Sequence, residues 1–277
     1  MVTMLEQALT NIFQNPPQYY RDEHRLLFDQ FINELNSGNI RACEKHTQGW
    51  QVHTWIKMGI LIGFRMGVLA EYPDGNKSFF DKDTLAAKRF SMNDQVRMVP
   101  GGSSARNGCF VARGVTIMPP AFINIGAYID TGSMVDSHAL VGSCAQIGKN
   151  VHLSAGAMIG GVLEPIGSRP VIIEDDAFIG GNTGIYEGII VGKRAVVASG
   201  TIITASTPIF DSTTGTFLPK DDGGSYSIPE AAVVVAGSRK LRAQPDFQVY
   251  CPIIIKYRDA KTDVSVALEN DLRHLLD

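Results

Sequence analysis

The chain has 277 residues, a formal charge of −3 and 44% apolar residues. That length suits one large domain or two modest ones with an ample core. The slight acidic balance speaks against a general nucleic-acid or membrane-surface binder, which needs a basic excess.

The N-terminal stretch MVTMLEQALTNIF carries Glu6 and lacks the basic start and cleavage site of a signal peptide. The longest apolar run, Met58–Ala70, is broken by Arg65 and is too short to span a bilayer. Cys43, Cys109, Cys144 and Cys251 are scattered with no CxxC pair, which reads as free thiols in a reducing cytoplasm. Leu5, Leu9, Ile12 and Phe13 share one helical face, and Pro16–Pro17 ends that helix. Leu27, Phe31 and Leu35 mark a second helix stopping near Asn36–Gly38. Ile40–Lys45 and Trp50–Thr54 read as short strands, followed by an apolar helix through Trp55–Phe64. Residues 1–95 are therefore expected to form an α-rich cap.

From Val111 an aliphatic residue recurs every sixth position: Val111, Ile117, Ile123, Ile129, Val135, Val141, Ile147, Leu153 and Ile159. After what reads as a two-residue slip across Pro165–Pro170, the beat resumes at Ile173, Ile179, Ile185, Val191, Val197 and Ile203. A period of six fits neither a helix nor simple strand alternation, but it fits a coil with three short flat sides, each giving one aliphatic residue to a central core. Small residues four places on (Ala121, Ala127, Ser133, Ala139, Ala145, Ala157, Ala177, Ala195) suit tight corners. The expected fold is mainly β, a hexapeptide-repeat parallel β-helix over 96–240. Twelve charged residues among the 97 of 111–207, about 12% against 19% overall, point to a prism face buried on a partner subunit. Asp211–Ser227 is a polar, glycine-rich inserted loop, after which Ile228 and Val234 restart the spacing. Gln248–Lys256 reads as a strand and Val264–Leu276 as a helix. Residues 241–277 thus form a C-terminal extension that closes the open end of the solenoid.

Hexad solenoids serve several classes, so the fold leaves three open: an acyl-CoA-dependent transferase, a zinc enzyme and a scaffold. A zinc site of that kind needs three converging histidines. Only His138 and His152 lie in the repeats, with His24, His46 and His53 in the cap and His274 in the tail, so no metal is expected. A scaffold predicts monotonous coils. Here Asp136, His138, His152, Asn182 and Glu187 interrupt the small-residue background, and Arg97 is expected to precede the first coil. Each also has a plainer reading, since Asp and Asn support tight turns and a lone histidine is usually a hydrogen-bonded surface residue.

The more specific words are Gly142–Ser154 (GSCAQIGKNVHLS), Ile159–Pro165 (IGGVLEP) and Val171–Asp175 (VIIED), with Val96–Pro100 (VRMVP), Asn124–Tyr128 (NIGAY) and EKHTQGWQVHTWIK upstream. With these the chain resembles the tetrahydrodipicolinate N-succinyltransferases of bacterial lysine biosynthesis over nearly its whole length. The resemblance implies a left-handed solenoid, a homotrimer with active sites between subunits, and succinyl transfer from succinyl-CoA to ring-opened tetrahydrodipicolinate. It places Arg97 at the family's substrate-binding arginine and Asp136 at its substrate-contacting aspartate, here the candidate base. An arginine suits a dicarboxylate acceptor, and a carboxylate suits an amine that must lose a proton. For the CoA it implies the later coils, with Ser199, Gly200 and Ala205 permitting close approach and Arg239 and Lys240 placed for the phosphates. His152 is expected to be structural. Two departures stand out. The commonest form of the motif places Trp-Ala-Thr after the aspartate, whereas this chain reads Asp136-Ser137-His138-Ala139-Leu140, and Gly184 stands where many members carry a glutamate. Glu187 is then the nearest second carboxylate, and His138 and Glu187 are expected to reshape the acceptor pocket. A related N-acetyltransferase using acetyl-CoA and a non-catalytic scaffold remain the alternatives.

Overall fold

A computed structural model describes residues 2–74, 77–260 and 262–263. Helices α1 (Val2–Gln14), α2 (Asp22–Asn36) and α3 (Thr54–Met66) form the N-terminal part with a hairpin of Cys43–His46 and Gly49–Val52. Leu5, Leu9, Phe28, Phe31, Ile32, Leu35, Ile56 and Ile60 make its core. α3 carries Gly59 and Gly63 where the Phe31 and Phe28 rings press against it: a Cβ would meet them at 2.7 and 2.4 Å. A second hairpin, Leu69–Asp74 with Lys77–Lys82, has no counterpart in the sequence reading. Its exposed Phe79 and Phe80 break the inside–outside alternation that would have marked it.

The aliphatic beat builds a three-sided prism. Face I stacks the two-residue strands at 110–111, 128–129, 146–147, 172–173, 190–191 and 227–228. Face II stacks 97–98, 116–117, 134–135, 152–153, 178–179, 196–197 and 232–235; face III stacks 104–105, 122–123, 140–141, 158–159, 184–185 and 202–203. All these rungs pair in parallel, with the second residue of each pair pointing inward, so that Ile129, Val135, Val141, Ile147, Leu153 and Ile159 are fully buried. The coils begin one turn before Val111, at Arg97–Met98 and Ser104–Ala105. With six rungs on faces I and III and seven on face II, the column spans roughly 24–29 Å at about 4.8 Å per rung.

Regular corners take four residues, as at 142–145, whereas 160–171 separates Met158–Ile159 from Ile172–Ile173. The interruption at Pro165–Pro170 is therefore an eight-residue excursion from one corner rather than a two-residue slip. A second excursion fills 204–226 between Ile203 and Ser227, and it contains the small hairpin of Phe210–Asp211 and Thr216–Phe217. The Gln248–Lys256 segment is two strands, Gln248–Tyr250 and Ile253–Tyr257, parted at Cys251–Pro252 where proline removes a donor. Ile253–Tyr257 runs antiparallel along Ala232–Val235 and so covers the last edge of face II. The expected helix at Val264–Leu276 lies outside the described residues.

The low charge of the repeats has a source within the chain itself. The N-terminal hairpin lies over face I: Arg41 stacks on Tyr128 at 3.5 Å and bonds Gln146 at 3.0 Å, while Lys45 and Trp50 bond Glu174. Ile125 and Cys144, on the corner between faces III and I, join the helical core. Face III stays open, with Met158 and Ile202 at 37% and 39% exposure. No helix among the described residues is long and apolar enough to cross a membrane.

Candidate active site

Most four-residue corners bend through a left-handed residue at their third position (118–121, with Pro120 there, does not), a role glycine fills at Gly114, Gly126, Gly132, Gly156 and Gly200. Asn150 and Asn182 fill it as turn residues do, which assigns Asn182 its plainer role. His138 fills it at φ 61°. A non-glycine residue held there carries a conformational cost that binding sites often contain.

Asp136, His138, Ser199 and Gly200 share one edge of the prism, corner II/III, in the segments 136–139 and 198–201. Asp136 is half-buried, and its Oδ1 accepts the Ser137 amide at 2.6 Å. No hydrogen bond among the described residues occupies its Oδ2. His138 is exposed beside it. Above them the edge is lined by backbone: a Cβ on Gly180 would lie 2.4 Å from the Ser199 nitrogen. The amides of Ala155, Gly181 and Ser199, second in successive corners, make no hydrogen bond among the described residues. An unpaired stack of N–H donors along a glycine-rich edge is a surface that an acyl thioester or a pantetheine chain can use. Val234 pairs with Val197, so Ala236 and Gly237 continue this edge one rung above Ser199 and Gly200. The strand Ser238–Lys240 leaves from there, carrying Arg239 and Lys240. Arg239 Nε is shielded from solvent and has no hydrogen-bond partner among the described residues, and Lys240 is exposed.

Arg97 is exposed on the lowest rung of face II, two rungs below Met134, and no acidic group among the described residues pairs with it. His152 stands in the same outward column, 3% exposed, its ring 5.0 Å from Phe178.

Glu187 and Ala205 are elsewhere, on corner III/I, where the Ala205 amide donates to Glu187 Oε2 at 2.9 Å. Within one chain the width of face III and two rungs, about 10 Å along the axis, part Glu187 from Asp136. Glu187 instead lines a cleft of about 890 Å³ with Trp50, Glu164, Arg169, Tyr186 and Ser225. Both excursions wall this cleft and are tied together, Arg169 meeting Asp221 at 2.6 Å and the Gly188 carbonyl at 2.9 Å. Lys57, fully buried, donates to the Ser168 carbonyl, and burial lowers its pKa, opposed by the nearby thiols Cys144 and Cys43. Trp50 of the cleft lining is held by Glu174, which accepts Lys45 Nζ at 2.7 Å, Trp50 Nε1 at 3.0 Å and the Lys193 amide at 3.2 Å. Burial works to raise its pKa, but those bonds and the Lys45 charge outweigh it and hold the carboxyl below its ordinary range.

Tyr186 was not singled out in the sequence. Its ring lies over Gly160 and Gly184, where added Cβ atoms would approach it at 2.6 and 2.5 Å. The position at which the resemblance implies a glutamate is thus covered by this aromatic ring. The signal was there in Gly184 and Tyr186 being two residues apart across a strand end, but only the fold shows that one covers the other.

Residues 4–66 match the model of the tetrahydrodipicolinate N-succinyltransferase N-terminal region, and residues 170–205 match the hexapeptide repeat of succinyl-transferase. A 2,3,4,5-tetrahydropyridine-2,6-dicarboxylate N-succinyltransferase of Photorhabdus laumondii is 43% identical, over 99% of this chain and 98% of its own. The chain belongs to the tetrahydrodipicolinate N-succinyltransferase family. Enzymes of the same description from Burkholderia multivorans, 41% identical over 99% of both chains, and Parvibaculum lavamentivorans, 39% identical over 97% of this chain and 98% of its own, agree. The matches to these relatives run along nearly the whole chain, through both its N-terminal part and its repeats.

Proposed function

We propose that the chain transfers a succinyl group from succinyl-CoA to the amine of ring-opened tetrahydrodipicolinate, in the diaminopimelate route to lysine. The products are N-succinyl-2-amino-6-oxopimelate and free CoA. The observation that carries this reading is likeness to N-succinyltransferases along nearly the entire chain, from α1 to the closing strand. The acceptor amine must be neutral to attack the thioester carbon. Asp136, with Oδ2 unoccupied, takes the proton that the nitrogen sheds as the new C–N bond forms. The C–S bond breaks, and the CoA sulfur leaves as a thiolate that is protonated from solvent. The free amides of corner II/III are candidates to meet the thioester oxyanion. Arg97, without an acidic partner among the described residues, grips an acceptor carboxylate through its planar guanidinium.

In this reading the CoA runs up the same edge, past Ser199 and Gly200, with its phosphates toward Arg239 and Lys240; Ala205, on the other corner, contributes through Glu187. Left-handed coils assemble as a homotrimer, and the open face III and its corners supply the contact between subunits. That arrangement is also what lets Glu187 of one chain serve an acceptor held by Asp136 of the next, with His138 shaping the pocket. The functional units are an α-rich cap over 1–95, the β-helix over 96–240 with its inserted loop at 211–227, and the closing extension over 241–277. The protein works in the cytoplasm with small-molecule substrates and no metal in the reaction.

A thiol-release assay comparing succinyl-CoA with acetyl-CoA, with and without the acceptor, tests this. Acceptor-dependent release from succinyl-CoA is expected. Preference for acetyl-CoA would replace the reading with N-acetyl transfer, and no release from either donor would refute acyl transfer altogether.

A further inference from the structure

The N-terminal hairpin has two faces with different fates. Cys43, Lys45, Trp50 and Val52 alternate onto the inner face, where Cys43 is buried, Lys45 and Trp50 bond Glu174, and Trp50 and Val52 line the cleft. Glu44, His46 and Gln51 point the other way, and His53 follows on the same side, its amide bonded to the Ala42 carbonyl. Nothing in the packing calls for histidines on that outer face, where β-branched or aromatic residues would serve a strand better. Yet one ligand atom from each of Glu44, His46 and His53 lies within 4.8 Å of the other two. His53 Nε2 is withdrawn from solvent and has no hydrogen-bond partner among the described residues; Glu44 Oε2, at 3.6 Å, is too far away to be one.

We propose that Glu44, His46 and His53 form a binding site for a divalent transition-metal ion of the zinc class, separate from the acyl-transfer edge. Two imidazole nitrogens and one carboxylate are a common donor set for such ions, with a water completing the shell. Ligands at about 2.0–2.2 Å from one ion stand roughly 3.4 Å apart in tetrahedral geometry. The three atoms therefore need to close by only about 1.4 Å from their present maximum of 4.8 Å. His46 has the freedom to do this, being exposed and facing Gly49, beside which an added Cβ would meet nothing within 4 Å. Counting histidines coil by coil misses this site, because its ligands come from a hairpin outside the repeats.

The ion would tie the first hairpin strand to the start of α3, next to the strand that carries Trp50 and Val52. The test is metal content, independent of catalysis. Full-length protein is stripped with chelator, equilibrated with micromolar Zn²⁺ or Co²⁺, freed of excess ion and assayed by elemental analysis. One ion per chain is expected, with the visible absorption of tetrahedral Co²⁺ in the cobalt form. His46→Ala, at an exposed position, and His53→Ala should each lose stoichiometric binding, with circular dichroism unchanged in chelator, while His24→Ala retains it. An ion-free wild type, or full binding by His46→Ala, would overturn the proposal.

Discussion

Glu174→Gln isolates the contact that holds the hairpin wall of the cleft to the prism. The carboxylate, 14% exposed, accepts three donors: Lys45 at 2.7 Å, Trp50 at 3.0 Å and the Lys193 amide at 3.2 Å. A glutamine keeps one acceptor oxygen and so retains part of the Trp50 bond, but it turns an NH₂ toward one of the remaining donors. Lys45 is 59% exposed, so its ion pair is heavily screened and contributes at most about 1 kcal/mol. Hydrogen bonds to a charged group add about 1.5 kcal/mol or more each where solvent is excluded, and neutral replacements return about half of that. The expected loss is about 1–2 kcal/mol at pH 7, which for a chain this size is a Tm decrease of roughly 2–8 °C. The pH dependence has a definite sign. Because the folded pKa is depressed, the stabilisation is present above the ordinary value of 4.5 and is lost as pH falls through the lower folded value. Urea denaturation of wild type and variant, followed by the combined emission of Trp50 and Trp55, should show a gap that is constant at neutral pH and closes below about pH 4.5. A gap that persists unchanged at pH 3, or no gap at pH 7, would refute this account.

Asp136→Asn should lower kcat by roughly 10²–10⁴ with an unaltered Tm, because the side chain contacts only its neighbour's amide; near-wild-type turnover would remove Asp136 from proton transfer. Arg239→Ala should raise KM for succinyl-CoA while leaving kcat nearly unchanged, read by initial rates over donor concentration. Gly142→Ala should destabilise by about 1–3 kcal/mol, since the new Cβ falls 2.2 Å from the Gly161 nitrogen and backbone on neither side can yield; an unchanged Tm would contradict it. All four cysteines are buried, and burial pushes the Cys43 and Cys144 thiols up to about 12 and Cys109 to about 11. A disulfide reagent at pH 8 should therefore label none of them rapidly in the native protein and all four after unfolding.

Much of the architecture is written in local sequence. Inward residues such as Ile129, Val135 and Val141 recur because each flat side offers one buried site, and that pattern survives without knowledge of any distant contact. The words around Asp136 and Gly142–Ser154 carried the family likeness for the same reason: they are contiguous. The register across 160–171 was not legible. Ile159 to Ile173 is fourteen residues, which as spacing reads like two hexads plus two, but folds as one corner with eight extra residues. Counting hexads through it rotates every later residue by one face, so the chain alone does not say that Ser199 shares an edge with Asp136 while Glu187 does not. That decision belongs to coil closure, which depends on how an excursion packs against Lys57, Trp50 and the second loop rather than on its length. The same holds for Tyr186 over Gly184 and for Glu44, His46 and His53. Such groupings arise from cross-strand and through-space neighbours, and a linear pattern encodes which side a residue faces but not what it meets there.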